Sequence, residues 1–300
     1  MKAVQIHGYG GVEQLRYEDV ATPEPGDGEV LVRVIATSVN PIDWKIRSGE
    51  AKDRFPVKFP FILGRDLAGE VVKAATGVTA FEKGQRVMGM VNNSYAEFLT
   101  APADSLAIIP DGLAPEEAGA LPLVLTTGAQ LIEHINPKSG QKILVTGALG
   151  NVGRAAVFLA KHYGARVLAG VRANQKKEAE SLGAAEVVAI DDERAIQALP
   201  ELDAIADTVD GETIGKLLPK LKKGGILGSV LGKPAAAEGK DIYVEAFMAQ
   251  PDADRLQQMA RAVQEGEFQI PIAKRFKLKD AAEAQKFAEQ ASGGKVLLEP

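Results

Sequence analysis

Residues 145–153 read VTGALGNVG, three glycines spaced as G-x-x-G-x-x-G. Glycines at this spacing free a loop from Cβ atoms, so that main-chain N–H groups can converge on an anion. The chemistry expected of such a loop is to hold a phosphate or diphosphate, provided that a strand enters it and a helix leaves it. Both conditions are met by the flanks. KILV is a short apolar strand signal, and GRAAVFLAKHYG has helical spacing with a glycine stop. Against the commoner G-x-G-x-x-G, Ala148 stands at the first glycine, while Gly147 beside it still supplies flexibility. Gly150 is expected to let the backbone approach the phosphates, and Gly153 to let the helix pack closely on the strand. The plainer reading is a glycine turn that serves packing alone.

The next strand end bears on which nucleotide would fit. A site for NAD usually offers Asp or Glu about 20 residues past the loop, on the ribose 2′-hydroxyl. Here LAGVRANQKK offers Arg172, Asn174, Lys176 and Lys177, with no carboxylate until Glu178. A guanidinium suits a 2′-phosphate, which it grips through two N–H groups, so NADPH is expected over NADH. A solvated basic helix start is the bland alternative.

These groups need elements to position them. After about Leu121, strand-like and helix-like runs alternate: KILVTG, NVGRAAVFLAKHYG, ARVLAGV, NQKKEAESLG, EVVAI, DERAIQAL, AIADTV, ETIGKLLPKLK and GGILGSVLG. Apolar strands between amphipathic helices predict a parallel sheet covered on both faces. The first third instead holds short β-type runs (KAVQIH, EVLVRVIATSV, LAGEVVKAA, QRVMGM, SYAEFLTAP) punctuated by turn residues, which predict a sandwich or partly open barrel. The final stretch, 272–300, places a helix between two β-type runs and is expected to return to the first domain. The sequence thus predicts an α/β protein with a β-rich domain from residues 1–120 and 266–300 and a doubly wound parallel-sheet domain from 121–265. PKLKKGG reads as a helix C-terminus with lysines matched to the dipole.

Composition narrows the classes of function. Three hundred residues, 46% hydrophobic and 25% charged, suit two globular domains. The net charge of −5 gives no reason to expect nucleic acid or an anionic membrane as a partner. No apolar stretch is long enough to span a bilayer, the start MKAVQIHGYG lacks a signal-peptide core, and a cytoplasmic location is expected. Without cysteine there are no disulfides, thiolate metal sites or cysteine nucleophiles. His7, His134 and His162 stand apart and are expected to be structural or solvent-facing.

Several motifs in order, SVNPIDWKIRSG (38–49), FILGRDLAGEV (61–71), SYAEF (94–98), ALPLVLTTGAQ (120–130), ILVTGALGNVG (143–153) and GGKVLLEP (293–300), give the whole chain a resemblance to a known family. It resembles the zinc-independent medium-chain dehydrogenases/reductases, and among them the NADPH quinone oxidoreductases and alkenal/enone reductases. The resemblance implies a GroES-like catalytic domain built from both chain ends around an inserted Rossmann domain. It also implies hydride transfer from NADPH to a quinone or to the conjugated double bond of an α,β-unsaturated carbonyl. Zinc-dependent relatives hold their metal through Cys, His and a further Cys or acidic residue; the matching positions here are Asn40, Arg65 and Leu123, which cannot bind zinc. By the same resemblance, Leu149, Gly150, Asn151 and Val152 would meet the diphosphate, Arg172 and Lys176 the 2′-phosphate. Val209, Val230, Leu231 and Gly232 would flank the adenosine or nicotinamide. Asn40 and Lys45 would lie beside the nicotinamide, with Thr127 reaching toward it. Two departures bear on the site: Lys45 stands where a tyrosine is common, and Ile190 where an aromatic or histidine packs on the adenosine side.

With no metal, the developing oxyanion needs hydrogen-bond donors, for which Asn40, Lys45, Thr127 and Arg65 are candidates. Each has a structural reading as well. Asn40 before Pro41 can cap a turn, Asp43 can start a helix, and Lys45 can cover apolar surface with its stem. Arg65 and Asp66 are expected to form an ion pair; Trp44 and Tyr95 suit a substrate pocket or the core equally. An NADPH-binding sensor with little turnover remains the alternative to an enzyme. A homodimer is also possible, through a sheet edge made of KKGGILGSVLG and DIYVEAFMA. Arg172→Asp is expected to shift coenzyme preference from NADPH toward NADH, as read from the initial rates with each; an unchanged preference would remove Arg172 from the site.

Overall fold

The computed structural model describes residues 1–209, 211–290 and 293–300. The chain folds as two compact units, Met1–Leu123 with Pro251–Pro300, and Val124–Gln250. The first segment opens with β1 (Lys2–Ile6) and β2 (Arg16–Asp19). Next comes β3 (Glu29–Val39), where EVLVRVIATSV supplies β-branched residues that are buried along nearly the whole strand. Pro41, pre-set for a first helical turn, starts α1 (Pro41–Ser48), and Gly49, at φ +85°, ends it. β4 (Phe61–Ile62), β5 (Asp66–Ala74), β6 (Arg86–Met90), β7 (Phe98–Pro102), β8 (Leu106–Ile108) and α2 (Pro115–Ala118) complete the segment. The expected β-rich architecture is present: β3 pairs antiparallel with β5 and β7, β5 with β6, and β6 with β8. β1 joins β2 and β4 in a small sheet of its own.

α3 (Pro122–Ile135) leads into the alternating unit. It continues through β9 (Lys142–Thr146), α4 (Asn151–His162), β10 (Arg166–Val171), α5 (Lys176–Ala179), β11 (Glu186–Ala189) and α6 (Glu193–Ala198). β12 (Leu202–Asp207), α7 (Glu212–Leu217), β13 (Leu221–Ser229) and β14 (Tyr243–Ala246) finish it. All six strands are parallel, in the order β11-β10-β9-β12-β13-β14. Ile143, Leu144 and Val145 of β9 are fully buried, as a central strand covered on both faces requires. The chain steps outward from β9 to β10 and β11, then returns to lay β12 on the other side. That reversal opens a crevice beyond the carboxyl ends of β9 and β12, where such sheets hold ligands.

Two local expectations are corrected here. Only the start of PKLKKGG ends a helical path: a 3-10 turn, Leu218–Lys220, carries Pro219 past α7, while Leu221 enters the core and Lys222 and Lys223 lie in β13. GGILGSVLG is no sheet edge, since β13 is paired on both sides; of those two segments only β14 lies at an edge.

α8 (Ala253–Gln264), β15 (Ile272–Lys277), α9 (Ala281–Glu289) and β16 (Lys295–Glu299) form the closing segment, with α9 as the expected helix between two strands. β16 runs antiparallel to β3 and parallel to β15, and so joins the last residues to the first sheet. A buried ion pair marks that junction. Lys295 Nζ stands 3.0 Å from Asp66 Oδ2, with the side chains 2% and 0% exposed. The expected Arg65–Asp66 pair is therefore replaced, and the Arg65 guanidinium donates instead to Asn92 Oδ1. Lys295→Met leaves a buried carboxylate without its cation and is expected to cost about 3–5 kcal/mol. Asp66→Asn in the same chain should recover most of that loss in thermal unfolding followed by circular dichroism. Equal melting temperatures for Lys295→Met and the parent would show that the pair contributes little.

Candidate functional site

In the second unit, the glycine motif joins β9 to α4 at the crevice. Gly147 has φ +60°, and a Cβ there would meet Thr208 Oγ1 and Val209 Cγ1 at 2.6 Å. Only glycine satisfies both constraints. A Cβ on Gly153 would stand 2.2 Å from the Gly147 carbonyl oxygen, so the first turn of α4 lies directly on the loop. Gly150 is the cap residue and has no side chain to satisfy the helix's first N–H groups. The intrahelical ladder begins with Arg154 N–H donating to Gly150 O at 2.8 Å. The amides of Asn151, Val152 and Gly153 precede it, at the positive end of the dipole. Leu149, Asn151 and Val152 are half-buried, Gly150 is exposed, and Gly153 is buried. Ala148 is fully buried and donates its N–H to Gly170 O, so the substituted position serves to tie the loop to β10.

A hydrogen-bond knot closes the floor of the crevice. Thr146 Oγ1 donates to Asp207 Oδ1 at 2.8 Å and accepts from Thr208 N–H at 2.9 Å, while Thr208 Oγ1 donates to Thr146 O at 2.7 Å. Val209, Val230, Leu231 and Gly232 follow the carboxyl ends of β12 and β13; Val209 and Leu231 are 41% and 38% exposed. The structure therefore brings Val209 against Gly147. Thr146, Asp207 and Thr208 were missed in the sequence, although a carboxylate ending the apolar run DAIAD was the available sign.

Arg172 follows β10 directly and is exposed, as are Lys176 and Lys177. Among the described residues no carboxylate pairs with any of the three. Arg172 N–H donates to Gln175 Oε1 at 3.2 Å and Ala173 N–H to Asp191 Oδ1 at 2.8 Å, which anchors this turn beside β11. Ile190 lies buried against Gly170 and presents no face to a ligand.

In the first unit, Asn40, Asp43, Asp66, Tyr95 and Lys295 form a buried polar network. Asn40 is 1% exposed; its Oδ1 accepts from Lys295 Nζ at 2.6 Å, and its Nδ2 donates to Asp66 Oδ2 at 2.7 Å and Ser38 O at 3.2 Å. Both amide hydrogens are engaged, which leaves Asn40 no donor for a substrate oxygen. Its backbone N–H donates to Asp43 Oδ2, fastening the start of α1. Lys45, one turn on, is 39% exposed and pairs with Glu50 at 3.1 Å. Thr127, on α3 in the second unit, is 9% exposed. Tyr95 is wholly buried in the core with its hydroxyl donating to Asp43, and Trp44 packs partly buried against the same core. Burial lowers the Arg65 pKa, against the opposing charges of Asp43 and Asp66. His7 pairs with Glu18, and His134 with Glu245 at the surface.

The two carboxyls of this network differ in their donors. Asp66 accepts from Leu123 N–H, Ser38 Oγ, Asn40 Nδ2 and Lys295 Nζ. On Asp43 only Oδ2 is engaged, by Asn40 N–H at 2.8 Å and Tyr95 Oη at 3.1 Å, while Oδ1 has no partner. Burial, with Asp66 adding repulsion, pushes the Asp43 carboxyl up to about 7.

Residues 26–111 match the alcohol dehydrogenase GroES-like domain, and residues 182–298 the zinc-binding dehydrogenase domain. A chloroplast envelope quinone oxidoreductase homolog of Arabidopsis thaliana is 32% identical over the whole of this chain and 98% of its own length. The 2-methylene-furan-3-one reductase of Solanum lycopersicum is 33% identical over 75% of this chain and 61% of its own. Among solved structures, mycobacterial Rv1454c complexed with NADPH superposes with a TM-score of 0.84 at 28% identity, covering both chains fully. The chain belongs to the medium-chain dehydrogenase/reductase family, among the quinone oxidoreductases. The second domain description implies zinc, and the residues do not fit it. Asn40 offers an amide already bound on both ends, Arg65 a guanidinium, and Leu123 only a backbone N–H held by Asp66.

Asp43 yields a pH test. The folded state keeps a proton that an unfolded carboxyl, with a pKa of about 3.9, releases. Stability from this group is therefore greatest below about pH 4, falls as pH rises through 4 to 7, and stays constant above. Asp43→Asn is expected to melt a few degrees, roughly 3 °C or more, above the parent at pH 8, and to lose most of that advantage by about pH 4. Parallel melting curves across this range would contradict the burial of a neutral acid.

Proposed function

We propose that the protein is an NADPH-dependent reductase of quinones or of conjugated carbonyl compounds, and that it works without zinc. The observation that carries this reading is the uncapped start of α4 at the crevice, joined at the neighbouring strand end by Arg172 and Lys176, which no carboxylate pairs among the described residues. The amides of Asn151, Val152 and Gly153 hold the diphosphate; Gly150, its own N–H bound to Gly147 O, lets the backbone come close without a side chain, and Leu149 shapes the loop that presents them. Arg172 and Lys176 take the 2′-phosphate, which the ribose hydroxyl of NADH lacks. Val209, Val230, Leu231 and Gly232 supply the apolar rim of the same crevice.

NADPH, when bound, supplies a hydride to an electron-poor carbon, and one proton from water completes reduction of a quinone to a hydroquinone or of an enone to a saturated carbonyl. The protein's part is to bind and orient, and to place donors where negative charge develops on oxygen. Among the three candidates, Lys45, half-exposed and paired with Glu50, has N–H donors to spare, and Thr127 offers a hydroxyl. Asn40 acts in this reading through α1, by fixing the helix that carries Lys45.

The test is NADPH oxidation, followed by absorbance, with a panel of quinones and enones, run beside NADH. Turnover with NADPH exceeding that with NADH is expected. Tight NADPH binding with no turnover across the panel would instead make the protein a coenzyme-binding sensor, and binding of neither coenzyme would end the reading.

A further inference from the structure

Arg154 lies one turn into α4, and its side chain is only 12% exposed. Three bonds leave this residue. Its N–H donates to Gly150 O at 2.8 Å and its Nε to Leu149 O at 3.0 Å, so it holds the glycine loop twice. Its Nη2 donates to Glu178 Oε1 at 3.0 Å, and Glu178 sits on α5, two residues past Lys176. Glu178 is the first carboxylate after Arg172 in the chain, on the short element that carries Lys176 and Lys177. A carboxylate left unpaired there would repel a phosphate and compete for those cations.

We infer that Arg154 is a positioning residue for coenzyme selection: it joins the diphosphate loop to the 2′-phosphate turn and neutralises Glu178, the first carboxylate after Arg172 in the chain, which would otherwise favour a free ribose hydroxyl. The inference rests on the proposed NADPH site and goes further by assigning selectivity to a side chain that does not itself meet the extra phosphate. Three further bonds support the assignment. Ala173 is held by Asp191, Arg172 N–H by Gln175, and Ser181 Oγ donates to Glu178 O. The turn is therefore anchored to β11 and within itself, so loss of Arg154 changes its charge more than its shape. Glu178 is 61% exposed, and solvent screening keeps the effect moderate.

The test measures the dissociation constants of NADPH and NADH by calorimetry for the parent, Arg154→Met, Glu178→Gln and the double variant, with melting temperatures taken alongside. Arg154→Met is expected to lower the NADPH-over-NADH preference by about fivefold, with NADPH affinity bearing most of the loss. Glu178→Gln alone should leave the preference within about twofold, and adding it to Arg154→Met should restore most of it. Equal weakening of both coenzymes by Arg154→Met, or no recovery in the double variant, would overturn the inference and reduce Arg154 to a structural brace. Failure of the underlying reading shows separately, as a parent protein that binds neither coenzyme or prefers NADH.

Discussion

The closest constraint in the second unit is the approach of Gly153 to the Gly147 carbonyl, where no Cβ fits. It presses the first turn of α4 onto the loop that follows β9, so the helix starts on backbone alone. With glycine as the cap residue, no side chain covers the first amides. A helix in this position needs an acceptor from outside, and the dipole makes a negatively charged one preferable. The Thr146–Asp207–Thr208 knot holds the two strand ends apart at a set spacing, and the crevice is where the sheet order reverses. The proposed anion site at that crevice rests on one steric contact and one topological switch.

The first unit shows how environment separates two chemically identical groups. Asp66 and Asp43 are both fully buried. Asp66 is surrounded by donors from two strands and two helix starts, including a buried ammonium, and this compensates its charge. Asp43 has donors on one oxygen only and keeps its proton near neutrality. The difference lies in the count and placement of N–H and O–H groups around each. It also explains Asn40, whose amide bridges the two halves of the network and so cannot serve a ligand.

Resemblance to zinc-containing relatives is compatible with this arrangement. Where a metal would need soft or imidazole ligands, this chain has an amide, a guanidinium and an isobutyl group. The buried positive charge nearest to Asn40 and Asp66 is the Lys295 ammonium, bound to both. That ammonium is committed to the network, and in the proposed reading reduction relies on an electron-poor substrate and on donors outside the network.

Local patterning made much of this legible. Five of the six parallel strands announced themselves as apolar runs between amphipathic helices, whereas β14, short and mostly exposed, did not; the glycine loop was readable because strand, turn and helix are consecutive residues. Arg172 and Lys176 were readable for the same reason, being the first residues past a strand end. Helix limits were less so: the helical path runs through Pro219 to Lys220, and the LKKGG that follows is the start of β13. What the sequence alone could not decide was which distant groups meet. Lys295 finds Asp66 across 229 residues, and Arg154 finds Glu178 across 24, only after sheets and helices have stacked. Side-chain type sets what a group can do; its partner, and therefore its charge and freedom, depend on packing between segments that no local pattern records.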